Sequence, residues 1–286
     1  MLACAAADDG TALDGIAAAE REGLATAILV GDRAGITALV RARNLPLTEL
    51  HIEHVPDPIE ACRVAVDLCR QGVTQALMKG RTSTATFLGA VLDAQRGVRG
   101  DGALSHVTVF QPVGAGRLLL LADAGVNIAP DVARKIDIIR NTVGLAARLG
   151  IPRPKVALLA AIEQEKAQMP ATVEAAEIVR WAREAPFADC EVGGPYSLDL
   201  AVSPEAVRQK GLDDPIAGHA DILIAPDIEA GNVLYKALTC FASLELASLV
   251  LGASVPLIVP SRADSGSTKR FSIALAAYLA RPVGPG

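Results

Sequence analysis

Aromatic residues are scarce in this 286-residue chain: Phe, Tyr and Trp make up 3% of it, with a single tryptophan. That shortage argues against aromatic-rich β modules and against the stacking platforms that hold single-stranded nucleic acid. Positive charge is not in excess either, since 27 Lys and Arg stand against 32 Asp and Glu, a formal net charge of −5. A domain-scale basic face is excluded, and with it nucleic acid as the main partner. Long apolar runs are also missing. Ala27–Val30, Leu118–Ala122, Val156–Ile162, Ile222–Pro226, Val255–Pro260 and Phe271–Ala280 all fall short of the roughly 20 residues a membrane helix needs, so no membrane association is expected. The five cysteines, Cys4, Cys62, Cys69, Cys190 and Cys240, contain no C-x-x-C and cannot all pair. Reduced cytoplasmic thiols are the simple reading. The opening MLACAAADDG sets Cys4 near a lipoprotein position, but no basic segment or adequate apolar stretch precedes it.

What is present is 51% apolar residues, mostly Ala, Val, Leu and Ile, with 21% charged. This composition rules out disorder and favours helices packed on buried parallel strands. The pattern predicts helices at Asp8–Gly23, Arg33–Arg43, Ile59–Gln71 and Phe87–Gln95, alternating with strands at Leu24–Val30, Leu50–His54 and Ala76–Met78. Beyond Ser105, Val107–Phe110 and Leu118–Ala122 lie too close for a parallel crossover and predict an antiparallel pair. Helices follow at Asp131–Leu149, Thr172–Glu184, Gly231–Leu249 and Phe271–Leu279. Strands are expected at Val156–Ala161, Asp221–Ala225 and Val255–Val259, with an extended stretch at Val192–Val202. Two α/β lobes result, 1–105 plus 248–286 and 106–247, with the cleft between them as the default ligand site.

The usual signatures are absent: no G-x-G-x-x-G after a strand, no phosphate-loop motif, no G-x-S-x-G, and no H-E-x-x-H. His51 and His54 read as strand-end surface residues, and no metal site is expected. Polar chemistry gathers instead just beyond three predicted strands. The first segment, Lys79-Gly80-Arg81-Thr82-Ser83-Thr84, offers two cations, a glycine for backbone access and three hydroxyls opening a helix. Such helix starts attract anions, although a capped, solvated turn would read the same way. The second is Pro226–Lys236, where Asp227, Glu229 and Asn232 sit where a strand end meets a helix start and either cap the helix or receive ligand hydrogen bonds. The third, Pro260–Arg270, holds Ser261, Arg262, Asp264 and Ser265. Arg262 can grip a phosphate bidentately. Lys269 and Arg270 bind a polyanion or solvate the next helix.

The string PDIEAGNVLYK (Pro226–Lys236), followed by VPLIVPSRAD (Val255–Asp264), resembles the phosphate acetyltransferase and phosphate butyryltransferase family. MKGRTST (Met78–Thr84) and AAAEREGLATAILVGD (Ala17–Asp32) resemble other family elements, and the likeness runs from about residue 10 to 280. MKG and SRAD lean towards the butyryl branch.

The resemblance implies two α/β/α lobes of the isocitrate/isopropylmalate dehydrogenase-like type with an interlobe active-site cleft. It implies a cytoplasmic homodimer that interconverts a short-chain acyl-CoA plus phosphate with acyl phosphate plus CoA. CoA is then a substrate, and no metal or tightly bound cofactor takes part. On this reading Arg262 binds the phosphoryl group, assisted by Arg81 and the Thr82–Thr84 donors. Ser261 donates to the carbonyl oxygen, and a carboxylate deprotonates the CoA thiol. Lys79, Gly80, Arg81, Thr82, Ser83, Thr84, Asp227, Glu229, Asn232, Lys236 and Ser265 would contact phosphate or CoA. The acetyl branch carries an aspartate seven residues after the serine, where this chain has Thr268. Asp264 is therefore the first candidate for the base, with Asp227 or Glu229 behind it. The alternatives are a non-catalytic CoA- or acyl-phosphate-binding protein, a same-fold metal- and NAD-dependent dehydrogenase, and an acyl phosphate synthase using acyl carrier protein.

Overall fold

The computed structural model describes residues 1–47, 51–114, 116–184, 189–242, 244–261 and 264–281. The chain opens with β1 (Leu2–Ala5), α1 (Gly10–Arg21), β2 (Ala27–Gly31), α2 (Arg33–Ala42), β3 (His51–His54), α3 (Pro58–Arg70), β4 (Ala76–Lys79) and α4 (Thr84–Val91). It continues through β5 (Ser105–Phe110), β6 (Leu119–Ala122), α5 (Val132–Arg148), β7 (Lys155–Leu159), α6 (Pro170–Glu184) and β8 (Glu191–Tyr196). Then come α7 (Leu198–Val202), α8 (Pro204–Lys210), β9 (Ile222–Ile224), α9 (Ile228–Cys240), β10 (Leu246–Leu251), β11 (Leu257–Ile258) and α10 (Gly266–Leu279). These elements form two compact units, Met1–Gly102 with Glu245–Gly286, and Ala103–Leu244.

In the first unit the strands follow the order β3-β2-β1-β4-β11-β10. All neighbours are parallel except β10 and β11. Strand β1 lies between β2 and β4, with Cys4 opposite both Leu29 and Met78. Its four residues are all buried, as expected of a parallel strand covered on both faces. From β1 the chain moves outward to β2 and β3, then returns to lay β4 on the other flank. The change of direction between β1 and β4 is a topological switch point, and a crevice opens at the carboxyl ends of strands there.

The second unit orders its strands β5-β6-β9-β7-β8. β5 and β6 form the expected antiparallel pair, with Val107 opposite Ala122. The other neighbours are parallel, with a register shift between Ala157 and Leu159. Its core includes Leu120, Leu121, Ile138, Ile139 and Ile178, each at most 1% exposed.

Four expectations change. Strand β1 was not expected, because Leu-Ala-Cys-Ala shows no alternation and has little β-branched content. The expected helix Gly231–Leu249 stops at Cys240, and its tail is strand β10, with Leu246, Ser248, Leu249 and Val250 buried. A short buried apolar run does not distinguish helix from strand by period. The extended stretch expected at Val192–Val202 ends at Tyr196, and α7 follows. Helix α8 was overlooked despite its cap at Ser203, proline in its first turn and left-handed Gly211 at its end.

Candidate functional site

A cavity of about 720 Å³ sits in the first unit at the carboxyl ends of its parallel strands. Asp8 to Thr11 reach it from the end of β1, and Asp32, Gly35, Ala38 and Leu39 from the end of β2 and from α2. Lys79 to Thr82 come from the end of β4, and Pro260, Ser261 and Lys269 from the β11–α10 connection and α10. One sequence rule builds the rim. A polar residue after each strand caps the next helix: Asp9 for α1, Asp32 for α2, Ser83 for α4 and Ser265 for α10. Each side chain accepts a first-turn N–H, a contact worth about 1 kcal/mol.

Gly80 shows why this loop needs glycine. A Cβ there would lie 2.3 Å from the Ala6 carbonyl oxygen and 2.8 Å from that of Ala5. The glycine lets the loop lie on β1, where Gly80 N–H donates to Ala5 O and Arg81 N–H to Ala6 O, both at 2.8 Å. Lys79 Nζ donates to Gly80 O and Thr82 O, each at 3.2 Å, and so braces the same turn. Arg81 is largely exposed and pairs with Asp8 at 2.7 Å.

Burial would raise the Asp9 carboxyl. Hydrogen bonds from the Ala12 N–H and from the Thr11 hydroxyl and N–H, with the nearby Lys79 charge, outweigh burial and hold Asp9 below its ordinary value. Beneath the loop, burial pushes the Cys4 and Cys62 thiols up, keeping them protonated and poor nucleophiles.

In the β11–α10 connection, Ser261 N–H donates to Asp264 Oδ2 at 2.7 Å, and Asp264 N–H returns a bond to Ser261 O at 3.1 Å; Ser261 lines the cavity and Asp264 lies behind it, outside the lining. Lys269 Nζ donates to the Asp264 carbonyl at 2.6 Å. One residue, Asp264, thus ties down both the serine and the lysine. Lys269 is only 2% exposed and Arg270 pairs with Glu22, so neither serves as a solvated helix cation.

The sequence candidates therefore divide. Lys79, Gly80, Arg81, Thr82 and Ser261 line one cavity. Ser83, Thr84 and Ser265 start the neighbouring helices, Ser83 and Ser265 as caps. Arg262 lies outside the described residues.

Asp227, Glu229, Asn232 and Lys236 belong to the second unit, on and before α9. There Asp227 and Asn232 hold α9 in place. Asp227 caps α9 through Ala230 N–H, and Asn232 Nδ2 donates to Ala124 O at 3.1 Å. A Cβ on Gly231 would lie 2.1 Å from the Asp123 carbonyl oxygen. Lys236 Nζ stands 4.5 Å from the centre of the Tyr235 ring. Glu229 is exposed in the first turn.

Sequence reasoning missed Asp8, Asp9, Thr11 and Asp32 as cavity residues, and left Lys269 open between a polyanion contact and a solvated cation. The signal was Asp-Asp-Gly placed directly before a helix, but it carries meaning only once β1 is recognised as a strand.

The family described as phosphate acetyl/butaryl transferase matches residues 48–277. The chain belongs to this phosphate acetyl/butyryl transferase family. It is 39% identical over 279 residues to the phosphate butyryltransferase of Clostridium acetobutylicum, covering 98% of this chain and 93% of that protein. Against the phosphate acetyltransferase of Thermotoga maritima it is again 39% identical over 279 residues, covering 98% and 95%.

A branched-chain phosphotransacylase from Enterococcus faecalis, known by crystal structure, superposes with a TM-score of 0.84 at 33% identity, covering 98% and 99% of the two chains. A 4-hydroxythreonine-4-phosphate dehydrogenase from Klebsiella pneumoniae shares the fold alone, with a TM-score of 0.62 at 15% identity. This family member is an acyltransferase enzyme of the phosphate acetyl/butyryl type. At Thr268, where the acetyl branch is expected to carry its aspartate, the side chain is buried and its hydroxyl lies 3.0 Å from that of Ser265.

Proposed function

We propose that the protein interconverts acyl-CoA plus phosphate with acyl phosphate plus CoA on a short-chain acyl group, and that the first-unit cavity holds the reacting groups. The observation that carries this reading is the meeting of Lys79, Arg81 and Lys269 with the Ser261 hydroxyl in one cavity at the strand ends. Both substrates are anions, and a thioester carbonyl needs a donor at its oxygen as charge develops.

In the forward direction a phosphate oxygen attacks the thioester carbonyl carbon. The Ser261 hydroxyl donates to the carbonyl oxygen. The carbon–sulfur bond then breaks, releasing CoA thiolate, which takes up a proton. In reverse, Asp264 accepts the thiol proton, the thiolate attacks the acyl phosphate carbon, and phosphate departs. The backbone bond from Ser261 to Asp264 holds acid–base group and donor together, so proximity supplies much of the rate. The Lys79–Thr82 turn and Arg262 supply anion contacts.

CoA enters as a substrate, and no tightly bound cofactor takes part in these steps. The cytoplasmic location and the homodimer are carried by the resemblance alone. Among the described residues no helix is long and apolar enough to cross a membrane. The deciding experiment is thiol release from acetyl-, propionyl-, butyryl- and octanoyl-CoA with and without phosphate. Phosphate-dependent release with a short-chain substrate is expected, and its absence with all four refutes the function.

A further inference from the structure

Lys269 is a charged side chain whose surroundings do not balance it. It lines the cavity yet is 2% exposed, with its Cβ in the path of any side chain added at Gly15 on α1. An ammonium has three donors. Among the described residues it has one partner, the neutral Asp264 carbonyl, and no carboxylate in ion-pair contact. A buried charge with so little compensation is costly unless an opposite charge joins it.

The other cavity groups are already engaged. Arg81 pairs with Asp8, and Lys79 bridges two carbonyls of its own turn. Asp9 accepts three donors at the start of α1, and Asp32 accepts Gly35 N–H with His54 Nδ1 3.9 Å away. The unmet charge faces the cavity.

We propose that Lys269 binds the phosphoryl oxygens of the reacting phosphate, beside Ser261. This rests on the function proposed above and adds a substrate-binding residue to it. The location favours the reacting phosphate over the phosphates of CoA. Lys269 and Ser261 are both anchored to Asp264, one through its carbonyl and one through its carboxylate. An anion held by Lys269 therefore lies on the same braced loop as the group that donates to the carbonyl. The transfer itself is unchanged: the phosphate oxygen still forms the bond to the acyl carbon, and Lys269 neutralises the remaining oxygens.

The test uses Lys269→Gln, which removes the charge but keeps an N–H donor for the Asp264 carbonyl, and Lys269→Arg, which restores the charge. Binding of inorganic phosphate is measured by calorimetry, and KM for phosphate and for acyl-CoA by thiol release. The Gln variant should lose about 10- to 100-fold in phosphate affinity and gain as much in phosphate KM, the loss expected for a charge-assisted contact. Its acyl-CoA KM should stay within about twofold, and Arg should recover most of the affinity.

Unchanged phosphate affinity in Lys269→Gln with parental circular dichroism overturns the proposal. So does an acyl-CoA KM that rises alone, which would give Lys269 to a CoA phosphate, and so does a parent protein that binds no phosphate. If the Gln variant does not fold, Lys269→Met provides the same comparison. A parent that binds phosphate through Lys269 but releases no thiol refutes the catalytic reading and leaves the binding site standing.

Discussion

Replacing Gly80 by alanine puts the strand-end loop under a load that the geometry defines. The new methyl carbon meets backbone: Ala6 O at 2.3 Å, Ala5 O at 2.8 Å and Ala6 C at 2.9 Å. Ordinary contact begins near 3.4 Å, so the loop must lift by about 1.1 Å from β1. Overpacking typically costs ~1–3 kcal/mol, and rigid backbone on the far side places this change at the upper end. Lifting also weakens the two loop-to-strand hydrogen bonds, each worth about 1 kcal/mol net. A total of about 3–5 kcal/mol lowers Tm by roughly 6–20 °C for a chain of this size class.

The same movement shifts Arg81 and Thr82, and a 1 Å misplacement of a positioning group costs about 100-fold in rate. Gly89→Ala is the control, since its Cβ meets nothing within 4 Å in α4, and it should stabilise by up to ~1 kcal/mol. Urea unfolding and kcat/KM for phosphate-dependent thiol release read both effects. A Gly80→Ala protein with parental midpoint and kcat/KM refutes the argument that backbone contact at this loop shapes the site.

Two further outcomes are expected. Asp264→Asn keeps an oxygen for the Ser261 N–H but cannot take a thiol proton, so turnover of acyl phosphate plus CoA should fall by about 10²- to 10⁴-fold with an altered pH–rate profile. A parental profile would remove Asp264 from the proton transfer. The Asp9 carboxyl is held below its ordinary 3.8, so its contribution to stability is complete above that pH and drains as pH falls through the lower folded value. Asp9→Asn, still able to cap α1, should flatten the loss of urea stability on acidification below about pH 4; an acid limb identical to the parent's would show that Asp9 does not drive it.

Local pattern was enough for much of the architecture. Capped amphipathic helices such as α3 and α5 and the apolar strands β2, β7 and β9 signal themselves within a few residues, because caps and period act over single turns. The family was legible for the same reason: PDIEAGNVLYK is contiguous. Its residues proved to brace α9 through Asp123, Ala124 and Ala230, a use that spacing could not separate from ligand binding.

What the sequence determined by itself was the α/β class, the acidic balance and the polar segments after the strands. Only the tertiary structure decided which of those segments share a cavity. Strand β1 is four residues, Leu-Ala-Cys-Ala, whose only mark is burial on both faces, and burial arises from neighbours distant in the chain. Once β1 is central, Asp8 and Asp9 fall beside Lys79 to Thr82 and Ser261, residues separated by some 70 and 250 positions. The same holds for Lys269. As one letter before Arg270 it reads equally as a polyanion contact or a solvated helix cation, and packing of α10 against α1 makes it a buried charge facing a cavity.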